Sequence, residues 1–192
     1  MQKTLLICCG ATARAAVDDG VTLFDMAPGY GQGEAERVIG AAFEGRLPNG
    51  VRITTKCRLG SPKPGEVDAA LTKSLNESLA RMRLDRVDVF ILHSNIIPDD
   101  YDASAYSDRP ATRWATYAEE FRRACEKLVA QGRIGAWGIT GIGIPDQVIQ
   151  ALADSPKPGI VQCIANPVNS VGELQYYAGP TRARDIIASA NA

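Results

Sequence analysis

The chain predicts an α/β fold of parallel strands, a (β/α)8 barrel of which about six βα units lie within the 192 residues. Three observations carry this. Short β-branched runs alternate with segments of helical period, the signature of βα units around a parallel sheet. Several of the runs are apolar almost throughout, as strands are when both faces are covered. Three of them also stop at a polar residue: Val21-Thr22-Leu23-Phe24 at Asp25, Val51-Arg52-Ile53-Thr54-Thr55 at Lys56, and Val87-Asp88-Val89-Phe90-Ile91-Leu92 at His93, the only histidine in the chain. In a parallel barrel these strand ends share one rim, and that rim holds the chemistry.

Taken in order, strands are expected near 5–9, 21–25, 51–57, 87–93, 134–140 and 160–165. The run Leu5-Leu6-Ile7-Cys8-Cys9, between Lys3 and Ala11-Thr12-Ala13, mimics a signal peptide. Its apolar core of about five residues falls short of the usual ~7–15, and it reads as a buried first strand. Between Glu66 and Met82 the residues Val67, Leu71, Leu75 and Leu79 recur at i+4, with Pro64 and Glu66 marking a helix start. From Thr116 to Gln131 the residues Phe121, Ala124, Cys125, Leu128 and Val129 share a face, and Gly132 stands where a C-cap belongs. Pro145 opens a helix carrying Val148, Ile149 and Leu152, and a last helix, roughly 181–190, turns on Ile186 and Ile187. The most loop-like stretch, Pro98 to Arg113, is expected over the active rim.

Six units fall short of the eight a closed barrel needs. Six parallel strands alone leave two open edges, and the segment from Gly10 to Asp19 is short for a loop plus a crossover helix. The expectation is therefore a single barrel domain over residues 1–192, incomplete, with units seven and eight and some loops absent. Either the chain is truncated or, the favoured reading, mobile segments are missing from the sequence.

A hydrophobic fraction of 45% with a net charge of −1 fits one soluble globular domain and argues against a nucleic-acid surface. Arg81-Met82-Arg83 and Arg122-Arg123 read as solvated helix faces. No apolar stretch approaches the ~20 residues of a bilayer span. Five cysteines without a C-x-x-C pair fit a reducing cytoplasm. Cys8, Cys9, Cys57 and Cys163 fall in strand-like runs, where cysteine is a small buried hydrophobe. One histidine and unpaired cysteines suggest no metal site.

Tyr30 follows Asp25 by five residues, so the order Asp–x4–Tyr, Lys, His runs through the three strand ends. That order resembles the catalytic tetrad of the aldo-keto reductases. Its most specific part is Asp25-Met26-Ala27-Pro28-Gly29-Tyr30-Gly31, similar to the family's Asp-Thr-Ala-x-x-Tyr-Gly, with Met26 in place of Thr. The resemblance runs from Gly20 to about Asn169. Gly132-Arg133-Ile134-Gly135-Ala136-Trp137-Gly138-Ile139-Thr140-Gly141 is similar to the family's strand-five segment, whose Ser and Asn bind the nicotinamide carboxamide. Thr140 keeps the hydroxyl, whereas Gly141 lacks the amide. Gln162 matches the strand-six glutamine that shares this role, and Asn166 falls near it, followed by Pro167. Gly29, Gly31 and Gly33 are spaced G-x-G-x-G rather than as a dinucleotide fingerprint, and read as turn residues that bring Tyr30 over the barrel mouth.

The resemblance implies an NAD(P)-dependent oxidoreductase that interconverts a carbonyl, whether aldehyde, ketone or aldose, with an alcohol. The cofactor is NADP or NAD, NADPH being favoured, and no metal is required. The family's basic residues for the adenosine phosphate belong to the units absent here. A phenol donates a proton poorly at neutral pH unless its phenolate is stabilised, and a nearby ammonium does this. Tyr30 is then the general acid in reduction and base in oxidation, Lys56 tunes it, Asp25 anchors Lys56, and His93 orients the substrate oxygen. The implied partner is a small carbonyl or sugar, with no nucleic acid or membrane.

Taken singly, each residue has a structural reading: Asp25 as a helix cap, Tyr30 as a loop aromatic, Lys56 as a snorkelling lysine, His93 as a core histidine. Four of them at matching strand ends in this order favour chemistry. The alternatives are a reductase-like regulatory or binding subunit, a barrel fragment without catalysis, and a lyase or isomerase using Lys56 as a Schiff base.

Overall fold

The computed structural model describes residues 2–104, 111–164 and 179–192, with side chains from residue 10 onward. Helix α1 (Gln2–Asp18) leads into β1 (Leu23–Asp25), α2 (Glu34–Phe43) into β2 (Arg52–Cys57), and α3 (Val67–Met82) into β3 (Val87–Leu92). Two three-residue strands, β4 (Asn95–Ile97) and β5 (Ala111–Arg113), pair in parallel with each other. A π-helical segment over Thr116–Phe121 then runs into α4 (Arg122–Ala130), and β6 (Ile134–Thr140), α5 (Pro145–Ala153), β7 (Ile160–Gln162) and α6 (Ala183–Ala190) follow.

The five longer-range strands form one all-parallel sheet in the order β1-β2-β3-β6-β7. It curls so far that Gln162, at the tip of one edge strand, hydrogen-bonds Asp25, at the tip of the other. This is the curled parallel sheet of a partial (β/α)8 barrel, the expected class of fold.

Helices α3 to α6 stand where the sequence periodicity places them. On α3 the i+4 stripe Val67, Leu71, Leu75 and Leu79 is buried against the sheet, each fully buried leucine contributing roughly 1.5–3 kcal/mol. Phe121, Cys125 and Leu128 meet Trp137 of β6 in the same core, Phe121 standing edge-on to the indole at 5.8 Å. Gly132 is left-handed, with φ +70°, and α4 ends there, the Arg133 N–H reaching back to the Leu128 carbonyl at 3.0 Å. Pro145 is the first residue of α5. Cys57 and Cys125 are buried and burial pushes both thiols up, so they serve as packing groups.

The N-terminus differs from expectation. Residues 5–9 are helical, part of α1, and not a strand. A five-residue apolar run does not by itself distinguish strand from helix. Past Gly10 come Ala11, Ala13, Ala15 and Ala16, and helix once nucleated propagates through alanine, which outweighs the cost of a single glycine. The segment from Gly10 to Asp19 is thus helix rather than a short connection, and Cys8 and Cys9 lie on α1. α1 docks on α2, where Gly10 faces Ala42 and Arg14 Nη1 donates to the Ala42 carbonyl at 3.1 Å. Helix α2, to which the sequence reading assigns no element, packs tightly on α3: a Cβ at Gly40 would collide with the Arg81 carbonyl. None of the helices among the described residues is long and apolar enough to cross a membrane.

Candidate active site

Five strands deliver five side chains to one rim. Asp25, Thr140 and Gln162 are the last residues of β1, β6 and β7, Lys56 is next to last in β2, and His93 directly follows β3. Period-2 alternation turns Thr54 and Lys56 of β2 to the same, inner side. There Lys56 Nζ donates to Asp25 Oδ1 at 2.7 Å, to the Met26 carbonyl at 3.0 Å and to Tyr30 Oη at 3.0 Å. All three ammonium protons have acceptors, and the side chain is only 1% exposed.

Asp25 Oδ1 collects three donors, since Thr54 Oγ1 at 2.5 Å and Gln162 Nε2 at 2.9 Å join Lys56. Partial burial alone would raise the Asp25 carboxyl, but the bonds from Lys56, Thr54 and Gln162 outweigh it and hold the group below its ordinary value. It stays ionised and keeps its lysine in place.

Tyr30 lies in the turn after β1, at the start of a 3-10 turn (Tyr30–Gly33). Gly31 and Gly33 have φ of +57° and +85°, so two of the three glycines supply left-handed backbone, whereas Gly29 is right-handed at −74°. Tyr30 is 40% exposed. Tyr30 is therefore open to solvent while Lys56, the link between it and Asp25, is enclosed.

His93 stands edge-on to Tyr30, the ring centroids 6.4 Å apart at 82°. Its backbone N–H donates to the Cys57 carbonyl at 2.7 Å, extending the β2–β3 ladder by one rung. Burial lowers its pKa, the positive charges of Lys56 and Arg58 lower it further, and Asp25 opposes them in part. The imidazole is neutral at neutral pH. Its Nδ1 is buried without a partner among the described residues.

On the far arc, Thr140 is buried and lies in register with Gln162. The Gly141 N–H donates to the Gln162 carbonyl at 2.7 Å. Asn166, the third residue assigned to cofactor binding, lies outside the described residues. The rim is flanked by the β4–β5 pair, tied to the β2–α3 loop by Thr112 Oγ1 to the Gly60 carbonyl at 2.8 Å and by Gly60 N–H to Ser94 Oγ at 3.1 Å.

Sequence reasoning missed Thr54 and the Met26 carbonyl. Thr54 was discoverable, because strand alternation puts it on the face of Lys56; a backbone acceptor leaves no mark in a sequence.

Fold and rim together define a parallel α/β barrel protein with a polar, acid–base-capable cluster at the C-terminal strand ends. Residues 10–178 match the model of the Aldo/keto reductase family, and the chain belongs to that family. Methylglyoxal reductase YeaE of Escherichia coli is 32% identical over 163 residues, 82% of this chain and 46% of that protein. A probable voltage-gated potassium channel subunit beta of Arabidopsis thaliana is 30% identical over 141 residues, 71% of this chain and 36% of that one. The crystal structure of an aldo-keto reductase from Klebsiella pneumoniae in complex with NADPH is similar at a TM-score of 0.52 and 31% identity, covering 75% of this chain and 42% of that chain. The chain thus spans about half the length of the curated relatives it matches.

Proposed function

We propose that this chain carries the catalytic rim of an NAD(P)-dependent reductase acting on a small aldehyde, ketone or aldose. The observation that carries the reading is the double engagement of Lys56, on Asp25 and on Tyr30, with the phenol left accessible. The nicotinamide, when bound, supplies the hydride in reduction and takes it in oxidation.

Tyr30 Oη gives its proton to the oxygen of the reduced carbonyl and takes it back in the reverse direction. The ammonium of Lys56, 3.0 Å away, stabilises the phenolate that remains. Asp25 keeps that ammonium charged and aimed. His93, neutral, offers an N–H to the substrate oxygen from the other side and excludes a competing charge. The orphaned His93 Nδ1 and the exposed phenol on one rim with Thr140 and Gln162 suit a polar guest at the barrel mouth. Thr140 and Gln162 would hold the carboxamide. NADPH is the first choice, since the similar Klebsiella structure was solved with it, and the methylglyoxal reductase points to a small reactive aldehyde.

A second reading, a reductase-like binding subunit, is favoured by the likeness to the channel subunit. Turnover of 4-nitrobenzaldehyde with NADPH separates the two. The enzyme reading expects measurable reduction and a loss of about 10²–10⁴ in kcat for Tyr30→Phe. NADPH binding without turnover would favour the subunit, and Tyr30→Phe within about threefold of wild type would remove Tyr30 as proton donor.

A further inference from the structure

We propose that a second polar network, on the outer face of β2, sets the separation of Tyr30 and Lys56; the proposal rests on the catalytic reading of that pair. The alternation that turns Thr54 and Lys56 inward turns Thr55 outward, against α2 and α3. There Thr55 Oγ1 donates to Glu36 Oε1 at 2.6 Å, and Arg81 Nε donates to Glu36 Oε2 at 2.5 Å. Arg81 Nη2 reaches Ser78 Oγ at 3.2 Å, and that hydroxyl lies 3.5 Å from Thr55 Oγ1, which closes a ring. Glu36, Thr55 and Ser78 are fully buried.

An ion pair with one partner buried, as here, is weak evidence for stability, because an apolar set of similar volume often serves as well. What this one does is better read from what it grips. On one side it holds Thr55, whose neighbour is Lys56. On the other it holds the foot of the turn that carries Tyr30. That turn runs through Gly31, Gln32 and Gly33 at φ +57°, +55° and +85°, three left-handed residues in succession, one of them not glycine. The two glycines adopt it freely, but Gln32 persists there only where its surroundings over-determine it.

Arg81 supplies the surroundings. A Cβ on Gly33 would come within 2.8 Å of its Cδ and 3.0 Å of its Nε, so the guanidinium stem lies directly beneath the turn. One helical turn further, Arg37 Nη1 donates to the Gln32 carbonyl at 3.4 Å. The ring therefore couples strand and turn from outside the barrel. Glu36, Arg81 and Thr55 are positioning residues and touch none of the reacting atoms.

The test compares Glu36→Gln and Thr55→Val with wild type in two readouts. Glu36→Gln keeps the shape and the acceptor for Thr55 but removes the charge facing Arg81. Thr55→Val is close in shape and cuts only the link to β2. The first readout is kinetics with 4-nitrobenzaldehyde and NADPH. Positioning expects kcat to fall about 10- to 100-fold with both KM values within about threefold. The second is the fluorine NMR spectrum of protein labelled with 3-fluorotyrosine, in which the Tyr30 signal is the one lost in Tyr30→Phe. It is expected to shift or broaden in both variants while the Tyr117 signal stays.

Folded variants with an unchanged Tyr30 signal overturn the proposal whatever their turnover. So does a rise in KM that accounts for the lost activity. If Glu36→Gln fails to fold, Thr55→Val decides. If wild type shows no turnover, the reductase reading falls, and the fluorine signal still decides the positioning.

Discussion

On the arc of the rim formed by β1, β2 and β3, Lys56 Nζ donates hydrogen bonds to Asp25, the Met26 carbonyl and Tyr30 within 3.0 Å. On the arc formed by β6 and β7, Thr140 and Gln162 meet through strand register, and the Gln162 amide turns across the barrel mouth to Asp25. The first arc has its charges aimed before any ligand arrives, which is the arrangement electrostatic catalysis requires. The second has lent its amide to the first. The residues proposed for acid–base work therefore depend on neighbouring parallel strands, and the groups proposed for the cofactor have an arrangement of their own.

The largest break in the first arc is Lys56→Met. It removes the only cation on Asp25 and Tyr30 among the described contacts, and kcat for 4-nitrobenzaldehyde is expected to fall by about 10²–10⁴. A fall of less than about fivefold would show that the phenol works without its ammonium.

The second arc is probed by Gln162→Leu. Lost carboxamide binding is expected to weaken NADPH about tenfold, as one hydrogen bond would, with kcat at saturation within about threefold. Fluorescence titration with NADPH reads the first and steady-state rates the second. A collapse of kcat at saturation would instead mean that the Gln162–Asp25 bond serves the first arc.

His93 sharpens the contrast through pH. Its folded pKa is lowered, chiefly by burial, so the unfolded chain takes up the proton first. Its contribution to stability is full above the ordinary value of 6.5 and is lost as pH falls from there toward the folded value. Asp25, also lowered, acts in the same direction but only below its ordinary 3.8. Thermal midpoints measured on either side of pH 6.5 are therefore expected to drop on the acid side in wild type and to drop less in His93→Gln. Equal slopes would dismiss the buried neutral imidazole.

The smallest effect is expected at Met26→Thr, the family's usual residue. Lys56 is held there by the carbonyl, which every side chain leaves in place. A change in kcat/KM beyond about threefold would mean that the side chain at 26 reaches the substrate.

The sequence by itself determined the alternation of β2, β3 and β6 with helices α3, α4 and α5, because period 2 and period 3.6 are written into residue order. It also determined that Asp25, Lys56 and His93 stand at strand ends, since each terminates an apolar run. Only tertiary structure decided the rest. The N-terminal run became helix because the alanine-rich stretch from Ala11 to Ala16 propagates helix and because α2 gives it a surface to dock on. Helix α2 is an exception, since Val38, Ile39, Ala42 and Phe43 already form a helical stripe in the sequence. The bond from Gln162 to Asp25 joins residues 137 positions apart and exists only because the sheet curls until its edges meet. Glu36 and Arg81, 45 positions apart, look like solvated charges in the sequence and become a part-buried pair only when α2 and α3 are pressed together at Gly40. Local pattern specifies which residues reach the rim; the closing of the sheet specifies which of them touch.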